Sequence, residues 1–223
     1  QLVWAGRLMP LKHPEFVVRL GEDLKKKGYS FHIHLIGSGE MEETVKQDIQ
    51  SRGLEDKITM YGFLDPARGR EGMEKSHIHL FTSNHLEGWG AVVNEAMNSG
   101  CAVVANREAG AVPYLIDHGK NGMIYSGGSY EEFLEAVCFL MEHGKERRKM
   151  GENACQTIVS LWNAQNAAEQ CLRFYGALTY QTLTYQAPYN TPLVDQTDPF
   201  SRSSCMVAIS RALPNALKLL SAI

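Results

Sequence analysis

The sequence lacks the marks of several protein classes. Its 223 residues include only five cysteines, and no two of them form a C-x-x-C pair, so neither a disulfide framework nor a zinc knuckle is indicated. No apolar run approaches the roughly 20 residues that span a bilayer, so we expect no transmembrane helix. The formal net charge of −3 provides no basic field that would attract nucleic acid. We therefore expect a cytoplasmic protein with reduced thiols and no nucleic-acid partner.

The chain also lacks an initiator methionine, and it opens at Gln1 directly on a strand-like run. We expect it to be a piece of a longer protein. What is present is ordinary for a globular domain, since 44% of the residues are hydrophobic and 21% are charged. Such a composition is sufficient to bury a core.

Short apolar runs alternate with helical patterns along most of the chain. This alternation predicts an α/β fold: a Rossmann-like, doubly wound parallel sheet with helices on both faces. Right-handed crossovers then place any ligand at the carboxyl ends of the strands. The predicted strands are residues 2–6, 31–37, 57–62, 77–83, 101–105 and 122–125. The predicted helices are residues 14–27, 41–51, 67–74, 91–98, 130–143, 145–161 and 164–178.

The composition changes after Gln181, where Thr, Pro and Ser become frequent. We predict one domain over residues 1–180 and a linker with a C-terminal tail over residues 181–223. The tail contains an apolar stretch that suits a short helix interrupted at Pro214.

The segment GRLMPLK, residues 6–12, follows the first predicted strand. Gly6 allows a ligand to approach the backbone, and Arg7 and Lys12 can supply a guanidinium and an ammonium group to a pyrophosphate. Two solvated surface cations are the structural alternative.

A Gly-Ser-Gly turn at residues 37–39 joins the second strand to the second helix. Such a turn can direct backbone amides at a phosphate through the helix N-terminus. The dinucleotide fingerprint, however, requires a third glycine where Met41 or Glu42 stands, so NAD is not indicated. Tight-turn geometry alone is the alternative reason for Gly37 and Gly39.

The segment HLEGWGAVVNEAM, residues 85–97, contains two glutamates. Glu87 lies in the predicted loop after the fourth strand, and Glu95 shares a helical face with Ala91 and Val92. The amides at the helix start favour an anion, and carboxylate oxygens suit a vicinal diol, so together they fit a phosphorylated sugar. The alternative is a charge near a helix start and a solvated helix face.

Two H-x-H pairs, His32 with His34 and His77 with His79, have strand spacing that points each pair to one face. As metal ligands they would need a third group, and their apolar neighbours favour packed or edge histidines. We predict no metal site.

Taken in order, these stretches resemble the C-terminal, donor-binding domain of a retaining glycosyltransferase of the GT-B fold, in the family called glycosyl transferases group 1 (family 4). The resemblance covers about residues 2–180. It depends on the following motifs, in chain order: GRLMPLK, the Gly-Ser-Gly turn, YGFL, the Glu-x7-Glu segment with EAMNSGCAVVA, and the final motifs GxxP and NGMIY. Each motif is weak alone, whereas their order and spacing are specific.

The resemblance implies transfer of a sugar from a nucleotide-diphosphate sugar to an unidentified acceptor, with no metal or other cofactor. Arg7 and Lys12 would bind the diphosphate, Glu87 the donor sugar and Glu95 the ribose; of these, Arg7, Lys12 and Glu87 would be the catalytic group. The backbone around Phe63 and Leu64 would read the base. The implied substrate-binding residues are Gly6, Gly37, Gly39, Phe63, Leu64, Gly88, Trp89, Gly90, Val92 and Glu95.

The family's N-terminal acceptor domain is absent from this chain and is the expected partner, and peripheral association of the parent protein with a membrane is left open. Three residues depart from the family pattern: Tyr114 replaces a frequent Glu, Trp89 a Phe, and His13 a Gly. Two alternatives remain, namely another GT-B enzyme such as a sugar-nucleotide epimerase, and a non-catalytic nucleotide-sugar binding module.

Overall fold

The computed structural model describes residues 1–183. The chain divides into two units, residues 1–162 and residues 163–223. The strands are β1 (Leu2–Ala5), β2 (Ile33–Ile36), β3 (Ile58–Met60), β4 (Ile78–Phe81), β5 (Ala102–Asn106) and β6 (Gly122–Tyr125). The helices are α1 (Pro14–Lys26), α2 (Glu42–Ser51), α3 (Pro66–Glu74), α4 (Ala91–Asn98), α5 (Val112–Leu115), α6 (Tyr130–Glu142), α7 (Gly144–Leu161) and α8 (Ala164–Leu183).

The six strands form one parallel sheet in the order β3-β2-β1-β4-β5-β6. The chain therefore winds outward from β1 in one direction and, after a crossover, from β4 in the other. The predicted doubly wound, Rossmann-like fold is confirmed. The crevice of such a sheet lies beyond the carboxyl ends of β1 and β4, where the strand order reverses.

Two apolar layers cover the sheet because successive strand residues point to opposite faces. In β1, Leu2 and Trp4 pack in one layer and Val3 in the other. The first layer is completed by α1, α2 and α6, and the second by α3, α4 and α5. Helix α7 contributes Met150 to the first layer and Ala154 to the second.

Two short helical elements were not predicted. A 3₁₀ turn at Pro10–Lys12 precedes α1, and α5 has only four residues. Both begin with a proline in the first turn, where its fixed φ suits a helix start. A single turn of this length carries no detectable 3.6-residue periodicity, so sequence patterning cannot find it.

Helix α8 is in the second unit and ends at Leu183, beyond the predicted end near residue 178. The predicted domain boundary near residue 180 stays a prediction. The predicted linker and tail helix over residues 184–223 lie outside the described residues. Among residues 1–183, no helix is both long and apolar enough to cross a lipid bilayer.

Helix α7 packs closely against the turn that follows α4. A Cβ placed on Gly151 would lie 2.1 Å from the carbonyl oxygen of Gly100, which is backbone and cannot rotate away. In contrast, a Cβ on Gly69 of α3 would meet no atom within 4 Å.

We therefore expect Gly151→Ala to lower the free energy of unfolding by about 2 kcal/mol or more, because the helix must shift away from Gly100. The matched change Gly69→Ala should raise it by roughly 0.5–1 kcal/mol, since it removes a helical glycine without a clash. Urea unfolding of both variants measures the difference. Equal effects of the two substitutions would contradict this packing.

His79 lies in the middle of the sheet on β4, between Val3 and Val103 of the neighbouring strands. Its side chain is fully buried, and neither ring nitrogen has a hydrogen-bond partner among the described residues. Burial holds the pKa of His79 at about 3, far below its ordinary value. The folded protein therefore keeps this imidazole neutral.

This burial makes stability fall with acid. Below pH 6.5 the unfolded chain binds a proton at His79, whereas the folded chain binds it only near pH 3. The contribution of the neutral His79 to the free energy of unfolding is therefore fully present above pH 6.5 and decreases below it. At pH 5 the expected loss is about 2 kcal/mol relative to neutral pH. The His79→Leu variant should not show this loss when its free energy of unfolding, measured with urea, is compared between pH 7.5 and pH 5.0. An unchanged pH dependence in the variant would show that His79 titrates normally.

Candidate functional site

A cavity of about 740 Å³ lies at the carboxyl ends of the strands, where the crevice is expected. Residues from the ends of β1 and β2, from the loops after β3 and β4, and from α3 and α4 line it. Eleven of the thirteen predicted site residues are among them: Gly6, Arg7, Lys12, Gly37, Gly39, Phe63, Leu64, Glu87, Gly90, Val92 and Glu95. The structure thus brings them together, and their roles in binding remain predictions.

Lys12 is held in the cavity wall by contacts along its whole length. The Trp4 indole donates a hydrogen bond of 2.9 Å to the Thr82 hydroxyl, which in turn donates to the Lys12 carbonyl oxygen. The aliphatic stem of Lys12 runs over Gly6, because a Cβ there would lie 3.1 Å from the Lys12 Cδ. Gly6 therefore makes room for the lysine as well as for a ligand.

The predicted catalytic residues Lys12 and Glu87 form an ion pair, and both line the cavity. Their side chains are only 16% and 14% exposed. The same carboxylate oxygen also accepts a hydrogen bond of 3.0 Å from Ser83. Glu87 is thereby oriented by two donors, and a ligand that binds Lys12 must share or displace this carboxylate.

Arg7, the third predicted catalytic residue, is exposed and lines the cavity without a hydrogen bond or ion pair to any other residue of the described range 1–183. Its guanidinium is consequently available to an anionic ligand. Arg7 and Lys12 both follow the end of β1, which is next to the point where the strand order reverses, and both line the cavity there.

The Gly-Ser-Gly turn owes its glycines to close backbone packing. A Cβ on Gly37 would lie 1.8 Å from the Gly6 carbonyl oxygen, and one on Gly39 would lie 2.3 Å from that of Leu8. Backbone hydrogen bonds from Gly6 to Ile36 (3.0 Å) and from Leu8 to Ser38 (3.0 Å) hold the two loops together. The tight-geometry alternative therefore explains both glycines, although both also line the cavity.

Helix α4 begins at the cavity. Gly90 adopts φ of 80°, and no side chain caps the helix start, which leaves its first amides for a ligand. Ala91, Val92 and Glu95 all line the cavity from this helix, as their shared helical face predicts. Glu95 is exposed and lines the same cavity as the residues at the helix start.

Two predicted residues, Gly88 and Trp89, do not line the cavity. Gly88 packs its carbonyl against Gly110, where a Cβ would lie 2.0 Å from that oxygen. Trp89 donates a hydrogen bond of 2.9 Å from its indole to Asn94 and stacks on Tyr114. These contacts tie the loop between β4 and α4 to its neighbours, and the predicted contacts of Gly88 and Trp89 with a ligand stay predictions.

Nine lining residues were not predicted as site residues. Four of them, Pro66, Gly69, Arg70 and Met73, share one face of α3, and the signal for them was their spacing of three, four and seven residues. The remaining five are Ala5, Ile36, Ser38, Asp65 and Ala91. The side chain of Asp65 is engaged as the N-cap of α3 and accepts hydrogen bonds of 3.0 Å from two backbone amides.

The two histidine pairs lie away from this cavity. His32 contacts Thr59 at 2.8 Å, His34 contacts Tyr61 at 2.9 Å, and His79 is buried in the sheet. Within residues 1–183 there is no group of three His, Cys, Asp or Glu side chains with the geometry of a metal site. The packed-histidine interpretation explains their positions.

Comparison with known proteins identifies relatives over most of the chain. A model of the family described as "Glycosyl transferases group 1" matches residues 1–157. Alpha-D-kanosaminyltransferase of Streptomyces kanamyceticus is 24% identical over 174 residues, which are 78% of this chain and 45% of that protein. The chain thus spans under half the length of this curated relative.

Solved structures share the fold. The C-terminal domain of a glycosyl transferase group 1 family protein (LpcC) from Francisella tularensis has a TM-score of 0.67 at 24% identity, over 73% of this chain and 86% of that one. Anabaena HepE in complex with UDP-glucose has a TM-score of 0.68 at 22% identity, over 79% of this chain and 48% of that one.

The partly buried pair of Lys12 and Glu87 should couple in stability more strongly than an exposed pair. In a double-mutant cycle with Lys12→Met and Glu87→Gln, we expect a coupling energy of about 1–2 kcal/mol, because each single change leaves a partner charge with little water. The exposed pair of Glu71 and Lys75 on α3 is the control, and its coupling should be much smaller. Urea unfolding measures both cycles. Comparable coupling in the two cycles would rule out a special role of burial at Lys12.

Proposed function

The chain belongs to the glycosyl transferases group 1 family, and on that premise we propose that it is the donor-binding domain of a retaining glycosyltransferase. This domain is one half of a GT-B fold and binds a nucleotide-diphosphate sugar, from which the whole protein transfers the sugar to an acceptor. The UDP-glucose found in HepE supports a donor of this class.

One observation carries the proposal: the cations Arg7 and Lys12 and the uncapped start of α4 converge on one cavity that also holds Glu95. Two cations and free helix amides together suit a diphosphate. The Glu95 carboxylate can accept two hydrogen bonds, which suits the vicinal hydroxyls of a ribose. A nucleoside diphosphate needs both of these features at once.

The proposed reaction follows from the charges in the cavity. The bond between the anomeric carbon and the donor phosphate breaks, and its electron pair leaves with the nucleoside diphosphate. Arg7 and Lys12 stabilise the charge that develops there, which is the role that a metal ion performs in other transferases. We accordingly propose that the donor is held without a metal.

The acceptor hydroxyl bonds to the anomeric carbon on the face from which the phosphate departs, and its proton passes to the leaving phosphate oxygen. Glu87 has a positioning role, since Lys12 and Ser83 already fix its carboxylate and it can accept hydrogen bonds from the donor sugar. This assigns the carboxylates to binding and orientation, and neither acts as a covalent nucleophile.

The acceptor is proposed to bind in a further domain of the whole protein. The chain spans 45% of one relative and 48% of HepE, so the remaining length of such a protein suffices for a second domain of similar size. A cytoplasmic location is proposed as well, supported by four described cysteines that are all free thiols.

The 223-residue chain should bind nucleoside diphosphates in calorimetry with a panel of UDP, GDP and ADP. Lys12→Ala should weaken the binding of the preferred nucleotide about tenfold or more, because it removes a charge-assisted hydrogen bond to phosphate. Glu95→Gln should weaken it by a similar factor through the ribose. Glu135→Gln, an exposed change on α6 outside the cavity, is the control and should have no effect.

A nucleotide without ribose hydroxyls tests whether Glu95 acts through the ribose. With the 2′,3′-dideoxy form of the nucleotide, the effect of Glu95→Gln should disappear, because the hydroxyls that the carboxylate accepts from are absent. The proposal fails if no nucleotide binds saturably, or if Lys12→Ala and Glu95→Gln bind like the unmodified chain.

A further inference from the structure

His13 holds a backbone conformation that side chains rarely adopt. Its φ of 46° and ψ of 53° lie in the left-handed region, and within residues 1–183 no other residue besides glycine has a positive φ. The family pattern frequently has Gly where this chain has His, and Gly adopts the conformation without strain. Strain of this kind persists only where neighbouring groups hold it in place.

The backbone of His13 connects Lys12 to α1. His13 ends the 3₁₀ turn Pro10–Lys12 and directly precedes Pro14, the first residue of α1. Its amide donates a hydrogen bond of 3.1 Å to the Pro10 carbonyl, and its carbonyl accepts one of 3.1 Å from the Phe16 amide. Glycine could make both of these bonds, so they do not account for the imidazole.

The His13 ring has a partner at each nitrogen. Nδ1 lies 2.7 Å from Oε1 of Glu15, and Nε2 lies 3.1 Å from Nδ2 of Asn84. The Asn84 Oδ1 already accepts a hydrogen bond of 3.0 Å from the Leu86 amide, so the Asn84 amino group is the one that faces the ring. These contacts fit one tautomer, in which Nδ1–H donates to Glu15 and Nε2 accepts from Asn84.

Asn84 links this ring to the loop that carries Glu87. The Asn84 amide donates a hydrogen bond of 2.9 Å to the Leu11 carbonyl, and the Asn84 carbonyl accepts one of 3.0 Å from the Glu87 amide. Two connections therefore join Lys12 to Glu87. One is their own ion pair, and the other is the set of hydrogen bonds through His13 and Asn84.

The two connections differ in their relation to the cavity. Lys12 and Glu87 line it, so a ligand that binds Lys12 must share or displace the Glu87 carboxylate. Neither His13 nor Asn84 lines it, so their contact can persist while a ligand is bound. A contact of this kind keeps the two loops at their spacing and lowers the ordering that binding would otherwise require.

We propose that His13 is a positioning residue, whose contact with Asn84 holds the loop of Glu87 against the loop of Lys12 in the arrangement that binds a nucleotide-diphosphate sugar. The inference rests on the proposed function. The His13 side chain thus has two effects of opposite sign, since it strains the backbone of the folded chain and organises the site.

Calorimetry with the 223-residue chain compares a nucleoside diphosphate with its nucleotide sugar in three pairs: UDP with UDP-glucose, GDP with GDP-mannose, and ADP with ADP-glucose. The pair that the unmodified chain binds most tightly is then used. His13→Gly should weaken the binding of the nucleotide sugar about fivefold, because that ligand needs Lys12 and Glu87 together. The bare diphosphate should change by less than about twofold, because it has no sugar for Glu87 to bind.

Thermal unfolding separates positioning from support of the fold. His13→Gly should unfold at an equal or higher temperature, since the strain is relieved and the lost contacts belong to a side chain that is 34% exposed. A merely structural role would lower the unfolding temperature and both affinities together.

His13→Gln is the conservative variant, because its Oε1 can accept from Asn84 as Nε2 does. It should bind the nucleotide sugar like the unmodified chain although it keeps the strain. In the His13→Gly background, Asn84→Ala should weaken binding less than it does alone, since the contact is already gone. His143→Gln, a change of an exposed histidine outside the cavity, is the control and should alter neither affinity.

Four results would overturn the inference. Unchanged binding of the nucleotide sugar by His13→Gly removes the positioning role, and equal weakening of both ligands shows that His13 does not join Glu87 to Lys12. Binding by His13→Gln as weak as that by His13→Gly excludes the Asn84 contact, and additive effects of His13→Gly and Asn84→Ala show that the two residues act separately. The proposed function stands in all four cases, whereas failure of the unmodified chain to bind any of the nucleotides removes both.

Discussion

The site depends on backbone packing against backbone at the carboxyl edge of the sheet. The carbonyl oxygens of Gly6 and Leu8 occupy the space that side chains at Gly37 and Gly39 would need, and Gly88 stands in the same relation to Gly110. Loops that touch through their main chains are fixed with respect to one another without intervening side chains. The cations and carboxylates of the cavity can then face it from short, well-supported segments.

Much of the fold could be predicted because strand and helix periods are properties of neighbouring residues. All six strands and seven helices were found at their places, with ends that differ by a few residues. The 3₁₀ turn before α1 and the four-residue α5 were missed because each is shorter than one period of a detectable pattern. The extension of α8 to Leu183 was also not predicted, because the composition of the sequence changes near Gln181, within the helix.

The residues that line the cavity could be predicted in part, because the order of strands and helices indicates which loops meet. Position after a strand indicates which loop a residue occupies, and this brought Arg7, Lys12 and Glu95 to one place. It does not give the direction of a side chain within the loop: the Trp89 ring packs on Tyr114, and the predicted contact of Trp89 with a ligand stays a prediction. Arg70 was overlooked because an arginine on a helix with only one buried residue resembles an ordinary solvated cation.

The tryptophans carry a consequence for spectroscopy. The protein has three, and Trp4 is buried in the core with its indole hydrogen-bonded to Thr82. Trp89 lies between Gly88 and Gly90 in the loop before α4, with the Trp162 ring centroid 5.5 Å from its own. Transfer of excitation between indoles at this separation depends on their mutual orientation and depolarises their emission, whereas Trp4 is buried in the core. The loop thus contains an intrinsic fluorophore that reports on its own conformation, without any added label.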